Sequence, residues 1–432
     1  MHCALPSAAP KPIAPAHAGN SAIIARVEAV LTHRRAEVEA WLDAERQRCD
    51  TPIYSSVDVR HAGFKLAPVD TNLFPAGFNN LSAAAASRAA TRMGGRFARM
   101  GYHKPRVLIL PENHTRNVMY LENLHALAAI ASKVASEVQI GTLQDVSEPL
   151  ILTTASGATI TQQPLARTGT TLHTRAGFLP DVILVNNDLT SGMPEMLRGV
   201  AQPMLPRPGQ GWHRRRKSIH FEAYAQLAAR FGQEFGIDPW LISAEFHKCG
   251  RVNFSERTGM ECVALGVERV LSRIRTQYEA HGITQKPYVF VKSDSGTYGM
   301  GIMTVESGED LLELNKKTRN KMATIKEGVE NTEVIIQEGV PTVDTIEGNP
   351  AEPMMYLVDG HAVGGAYRVN RERDAMGNLN ASGMYFMRLC DEGEADGEAL
   401  ALPPCSFGAF GLIAALATLS ATREEYGEQY SI

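Results

Sequence analysis

The segment KPYVFVKSDSGTYGMGIMTV, residues 286–305, decides how the rest of the chain is read. An apolar run of β-formers ends in Lys292, a loop carrying Gly296, Gly299 and Gly301 follows, and a second apolar run closes the segment. β-formers on both sides of the glycines make this a strand, a mobile loop and a strand. A P-loop needs Gly-Lys-Ser/Thr leading into a helix, and a dinucleotide-binding turn needs Gly-x-Gly-x-x-Gly opening one. Neither order is present. Such a hairpin can instead fold backbone N–H groups and the Ser295 hydroxyl over phosphates, with Lys292 supplying positive charge beside them. Taken alone, the same residues also read as an ordinary glycine-rich turn.

The segments downstream add context. A helical pattern at residues 309–322 leads to TEVIIQEGVPT, residues 332–342, where the apolar run Val334-Ile335-Ile336 leads into Gln337, Glu338 and Gly339. A strand entering a hinge there puts Gln337, Glu338 and Val340 where an adenine edge and ribose hydroxyls can be read; the plain alternative is a strand leaving the core. PMMYLVDGHAVGGAYRVN, residues 353–370, is a hairpin turning at Asp359-Gly360, and its return strand brings Arg368 back toward the glycine loop. GNLNASG, residues 377–383, then offers the amides Asn378 and Asn380.

Upstream, residues 21–47 place Ile24, Val27, Leu31, Val38, Trp41 and Leu42 at helical spacing, with Asn20 or Ser21 as the cap. IYSSVDVRHAGFKLAPVDTNLFPAGF, residues 53–78, alternates on either side of His61-Ala62-Gly63, as a hairpin does. From residue 105 onward RVLILP, EVQIGTL and DVILVNNDL read as strands and residues 117–134 as a helix, with a hairpin inserted at 148–163. Strands alternating with helices predict a parallel α/β layer. Residues 217–281 read as mostly helical, broken at Gly236 and Pro239.

Composition limits the functions available. The chain has 432 residues, 44% hydrophobic and 21% charged, enough for two or three packed units. Its net charge of -4 gives no electrostatic footprint for nucleic acid. Six cysteines are scattered without a Cys-x-x-Cys pair, so thiols in the cytoplasm are the expectation, and no zinc ribbon is written. No apolar run reaches the length of a membrane span; the longest, 407–419, reads as a buried helix. Residues 1–20, rich in Ala and Pro, read as a disordered tail. Small-molecule chemistry remains, and association into a homo-oligomer stays open.

The order of elements, a strand with lysine, a glycine flap, a helix, a hinge strand with an acidic residue, a hairpin and an arginine, resembles the ATP-grasp superfamily. FVKSDSGTYGMGI, Arg368 and GNLNASG are similar to the corresponding segments of bacterial glutathione synthetase. Over nearly the whole chain, APVDTNLFPAGFNNL, PENHTRN, NNDLTSG, GWHRRRKSIHF and KSDSGTYGMGI together resemble the proteobacterial glutamate-cysteine ligase family of ATP-grasp type. The resemblance implies an α/β fold: an ATP-grasp core at 286–432, a mostly helical linker at 211–285 and a Rossmann-like α/β unit at 101–210. It implies ATP and Mg2+ as cofactors, L-glutamate and L-cysteine as substrates, and γ-glutamylcysteine as product. Another carboxylate-amine or carboxylate-thiol ligase, or a non-catalytic nucleotide-binding protein, is the rival reading.

One part of the superfamily's pattern is displaced. Downstream of Arg368 there is no acidic residue followed by Glu/Asp-x-Asn-x-x-Pro, and the acidic run CDEGEADGEA, residues 390–399, reads as a solvated loop. The missing pattern stands near the other end, with Asp58 in VDVR and Asp70-Thr71-Asn72-Leu73-Phe74-Pro75. A circular permutation is therefore expected, in which residues 21–100 complete the C-terminal sheet. Alternate residues on a strand share a face, so Asp70 and Asn72 point together at the metal with Asp58 beside them. The resemblance further assigns Lys292 and Arg368 to phosphoryl transfer and a second phosphate lysine to Lys217, with Lys248 in reserve. His114 and Arg116, just beyond the strand RVLILP, are substrate candidates because open α/β sheets bind ligands at strand carboxyl ends; local capping is the alternative.

Overall fold

The computed structural model describes residues 21–295, 301–323, 331–389 and 408–424. The tail expected at 1–20, the flap glycines Gly296 and Gly299, and the acidic run at 390–399 lie outside the described residues. Along the chain, α1 (Ala22–His33) and α2 (Arg35–Gln47) precede β1 (Tyr54–His61), β2 (Leu66–Asn72) and α3 (Ala83–Arg99). Next come β3 (Arg106–Pro111), α4 (Val118–Ser132), β4 (Glu137–Thr142), β5 (Leu150–Thr153), β6 (Thr159–Thr168), β7 (Thr171–Thr174), β8 (Val182–Asn186) and β9 (Met204–Leu205). A third stretch holds α5 (Lys217–Phe235), β10 (Phe246–Arg251), α6 (Met260–Ala280), β11 (Val289–Ser293), β12 (Ile302–Val305), α7 (Gly308–Leu312), α8 (Lys316–Ala323) and β13 (Glu333–Glu338). β14 (Thr345–Ile346), β15 (Asn349–Val358), β16 (His361–Asn370), β17 (Met384–Arg388) and α9 (Ala409–Ala421) finish it.

These elements form a mixed α/β fold with three sheets. The first runs β17-β16-β15-β1-β2, so a hairpin from near one end of the chain is stitched to strands from the other. β1 pairs antiparallel with β15, from Tyr54 opposite Val358 to Asp58 opposite Met354. The second sheet runs β10-β13-β11-β12 and is antiparallel throughout. In the third, β6, β4, β3, β8 and β9 are parallel neighbours, with β5 and β7 as antiparallel additions.

Helix α9 explains how the first sheet is held. It is rich in Ala and Leu, and its small residues let it lie close to β1, β2 and α5 within one core. Leu412, Ile413, Leu416 and Leu419 are at most 3% exposed, each contributing roughly 1.5–3 kcal/mol of burial. The Ser55 and Thr418 hydroxyls, 2.8 Å apart, satisfy the polar groups where helix meets strand.

Three local readings differ from the sequence expectation. The helix foreseen over 21–47 is two, because Arg34 leaves helical geometry to cap α2 and anchors its guanidinium on Glu37 and the Glu234 carbonyl. Ser21, the cap itself, accepts from the Ile24 amide. Residues 309–322 likewise divide into α7 and α8. The helical stretch 217–281 contains an unforeseen strand, β10, which pairs with β13 at the end of the sheet and whose sequence, FHKCGR, does not alternate apolar and polar residues. Among the described residues no helix is long and apolar enough to cross a membrane.

Candidate active site

The site is built where the first and second sheets face each other. On β11 and β13, Phe290 opposite Gln337 and Lys292 opposite Ile335 are cross-strand partners. From the first sheet come Asp58, Asp70, Glu352 and Arg368, which the register places in adjoining pairs: Asp58 opposite Asp70 and Glu352 opposite Arg368. Lys217, the first residue of α5, enters from the side. These groups, with Ser295, Asn378 and Asn380, line a cavity of about 660 Å3 open to solvent.

A bulge sets the aim of the acidic strand. Asp58 faces Asp70 but Val59 faces Pro68, leaving Val69 unpaired. Its carbonyl, released from the ladder, accepts from Lys292 Nζ at 2.7 Å. Lys217 Nζ lies 2.5 Å from Asp70 Oδ1 and 4.3 Å from the Trp212 ring centroid. Burial raises the Asp70 carboxyl, but Lys217 and Lys292 outweigh it and pull the pKa down to about 2. Lys292 moves the other way: burial, with Lys217 nearby, lowers its pKa to about 7.

Arg368 holds the centre. Its guanidinium donates to both Asp58 oxygens, at 2.7 and 3.2 Å, and to Glu352 at 2.6 Å. Burial alone would lower the Arg368 pKa, and the two carboxylates override it, pushing it above the ordinary guanidinium value. Its Nε is buried with no hydrogen-bond partner among the described residues. Arg60, not among the residues singled out above, forms an ion pair with Glu352 and donates to the carbonyls of Ala375 and Gly377. Together with Asn370, whose amide reaches the carbonyls of Leu379, Ala381 and Ser382, it fixes the loop that presents Asn378 and Asn380.

The basic block GWHRRRKS is not a solvated patch. Arg215 is buried, pairs with Glu424 at 2.5 Å and donates to the Thr71 carbonyl, between Asp70 and Asn72. Arg216 pairs with Glu333. Lys248, the reserve phosphate lysine, does not line this cavity; it is 46% exposed and 3.8 Å from Asp294.

Other candidates stand elsewhere. Gln337 lines the cavity, and its Nε2 is buried with no hydrogen-bond partner among the described residues. Glu338, one residue on, points to the opposite face, because neighbours on a strand alternate. There its carboxylate takes Lys65 Nζ at 2.8 and 2.9 Å and the Glu245 amide, while Lys65 rests over Trp240. Val340 packs with Ala62, Ala67 and Ala244. Asn72 faces a second, larger cavity of about 1080 Å3, and its Oδ1 accepts from the Phe74 amide. His114 and Arg116 line neither cavity; with Asn113, Thr115 and Asn117 they border a separate open one, and His114 Nε2 lies 2.5 Å from Glu112 Oε2. The two main cavities share Asp58, Asp70, Arg368 and Asn380.

This arrangement can hold a polyanion on one side of Arg368 and a second ligand on the other. Residues 28–425 match the glutamate-cysteine ligase (GshA) family. The chain belongs to that family. It is an ATP-dependent ligase, and the match leaves the non-catalytic rival reading without support. A protein of Methylobacillus flagellatus KT, assigned as a gamma-glutamylcysteine synthetase and solved at 1.90 Å, is similar at 40% identity and a TM-score of 0.85, covering 96% of this chain and 99% of its own. D-alanyl-alanine synthetase A of Vibrio cholerae matches at 11% identity and a TM-score of 0.32, over 68% of this chain and 77% of that one. A glutathione synthetase-like effector of Globodera pallida matches at 10% and 0.34, over 87% and 84%. No curated protein matches the sequence.

Proposed function

We propose that the smaller cavity binds ATP and that the ligase phosphorylates the glutamate side-chain carboxylate at Arg368, after which the cysteine amine displaces phosphate to give γ-glutamylcysteine. In this reading residues 21–100 and 286–424 act as one nucleotide-binding unit, through the pairing of β1 with β15. The single observation that carries it is the cluster in which Lys217, Lys292 and Arg368 converge with Asp58 and Asp70 between two sheets, at the junction of two cavities.

The chemistry follows from the poor reactivity of a carboxylate, whose charge is delocalised and whose oxide does not leave. Transfer of a phosphoryl group to it makes an acyl phosphate with a good leaving group. Lys217 and Lys292 then neutralise phosphate charge, and Arg368 stabilises the charge spread over the transferring group. Ser295, which lines the cavity, offers its hydroxyl to the phosphates, and shielding from water protects the acyl phosphate from hydrolysis. Gln337 supplies a hydrogen-bond donor to the nucleotide, and Asn378 and Asn380 supply amides to the substrates.

The donor set suits Mg2+. That ion takes one or two carboxylates plus phosphate oxygens rather than an all-protein cage. Asp58 and Asp70, opposed across β1 and β2, would hold it, with Asn72 on the same face, and it would supply charge neutralisation to the phosphates. The described cysteines Cys49, Cys249 and Cys262 are thiols, which supports a reducing compartment, the cytoplasm.

Phosphate release from MgATP, with glutamate alone, cysteine alone and both, tests the reading. Sustained release requiring both amino acids is expected; release independent of either overturns the substrate assignment.

A further inference from the structure

We propose that the larger cavity is the glutamate site and that Glu112 reads the substrate's α-ammonium group. This rests on the ligase reading above and adds the orientation of the amino acid within it.

Toward the nucleotide side stands Arg368, the cationic side chain among the cavity's lining residues, together with Asp58, which it pairs, and Asp70, which Lys217 pairs. The far wall is made by the carboxyl ends of β3 and β8, adjacent parallel strands in register from Val107 opposite Val182 to Pro111 opposite Asn186. Glu112 follows β3 immediately and Asp188 lies two residues beyond β8; both line the cavity and are only 7% and 3% exposed. Carboxyl ends of parallel strands are where α/β sheets receive ligands. A dicarboxylic amino acid placed with its side-chain carboxylate toward Arg368 therefore carries its ammonium group to the carboxylate wall.

Glu112 is held to do this. Its backbone N–H donates to the Tyr120 hydroxyl at 2.9 Å, and that hydroxyl donates to the Asn186 carbonyl at 2.7 Å. His114, the residue singled out in the sequence, meets Oε2 from the other side, so it is a positioning residue for Glu112 rather than a wall of the cavity. Tyr120 belongs to α4, a 15-residue helix capped by Asn117, and Asn117, Met119 and Tyr120 all line the cavity.

Glutarate, the same five-carbon diacid without the amino group, is the discriminating probe. Phosphate release at saturating ATP and cysteine gives kcat/KM for L-glutamate and for glutarate in the full-length wild type, Glu112→Gln and Glu112→Asp. The wild type should favour glutamate, and Glu112→Gln should lose roughly 10- to 100-fold of that preference while the KM for ATP is unchanged. Glu112→Asp, which keeps the charge but withdraws it, should fall between. A wild type that uses glutarate as well as glutamate overturns the assignment, whether or not the variants fold. So does an unchanged preference in the variants. Absence of any amino-acid-dependent phosphate release by the wild type would instead defeat the ligase reading itself.

Discussion

Lys292 is the residue whose chemistry is most exposed to measurement. Its folded-state pKa of about 7 lies below its ordinary 10.5. Between those values the unfolded chain keeps a proton that the folded chain has released, so this group's contribution to stability rises with pH across that window. ATP reverses the balance, because phosphate oxygens beside the ammonium favour its charged form. Calorimetry of nucleotide binding at pH 8 in buffers of different ionisation enthalpy should report uptake of roughly 0.9 proton per site, lost in Lys292→Met. Zero uptake in the wild type would mean Lys292 does not meet the phosphates. Lys292, Arg368, Asp58 and Asp70 were legible in the sequence because each sits at a recognisable place in a strand or motif. Glu352 and Arg60 were not: Glu352 matters through Arg368 on the adjacent strand, and Arg60 through Glu352 and the carbonyls of Ala375 and Gly377, which are far from it in sequence.

At the scale of elements, strand parity and one bulge decide which side chains reach the site. Glu338 was expected at the nucleotide beside Gln337, but adjacent strand residues face opposite sides, and Glu338 is committed to Lys65. Glu338→Gln should therefore destabilise the fold by about 3–5 kcal/mol, the usual cost of breaking a buried ion pair, with the KM for ATP nearly unchanged in molecules that remain folded. Chemical denaturation and steady-state kinetics check both halves; a large rise in KM at unaltered stability would return Glu338 to the ribose. Val69 makes the complementary case. Deleting it removes the bulge while Asp58 stays opposite Asp70 and Val59 opposite Pro68, so Asp70 keeps its face and what is lost is the free carbonyl that holds Lys292 Nζ. Phosphate release by this deletion variant should fall roughly tenfold, as expected for loss of one hydrogen bond that positions a charged group, while far-ultraviolet circular dichroism stays close to wild type. The bulge could not be read from the sequence, where LAPVDTN looks like an uninterrupted strand. Its effect was nevertheless anticipated in part, since Asp70 and Asn72 do share a face even though Asn72 opens into the larger cavity.

For the whole molecule, the informative feature is that the first sheet joins segments about 300 positions apart. β1 and β15 exchange ladder hydrogen bonds while α9 packs across both, so they belong to one cooperative unit. Native-state hydrogen exchange should show the amides of residues 54–58 and 354–358 protected to the same free energy and moving together with denaturant; protection of β15 that survives opening of β1 would contradict this. The displaced Asp-x-Asn-x-x-Pro pattern made that closure legible, because the chemistry needed acidic ligands that the C-terminal segment lacked. The far wall of the amino-acid cavity was legible only in outline: PENHTRN was noted, but His114 and Arg116 were chosen over Glu112. Only the folded α4 and the neighbouring end of β8 show which of these side chains turns inward.

The central claim is that Arg368 marks the point where a phosphoryl group passes from the nucleotide cavity to a glutamate carboxylate in the adjoining one. The most direct measurement uses L-glutamate labelled with 18O in its side-chain carboxylate, with MgATP and cysteine, and reads the phosphate by mass spectrometry. Transfer of one labelled oxygen into each phosphate released is predicted, since the carboxylate oxygen that accepts the phosphoryl group leaves with it. Unlabelled phosphate accompanying γ-glutamylcysteine formation would contradict the account.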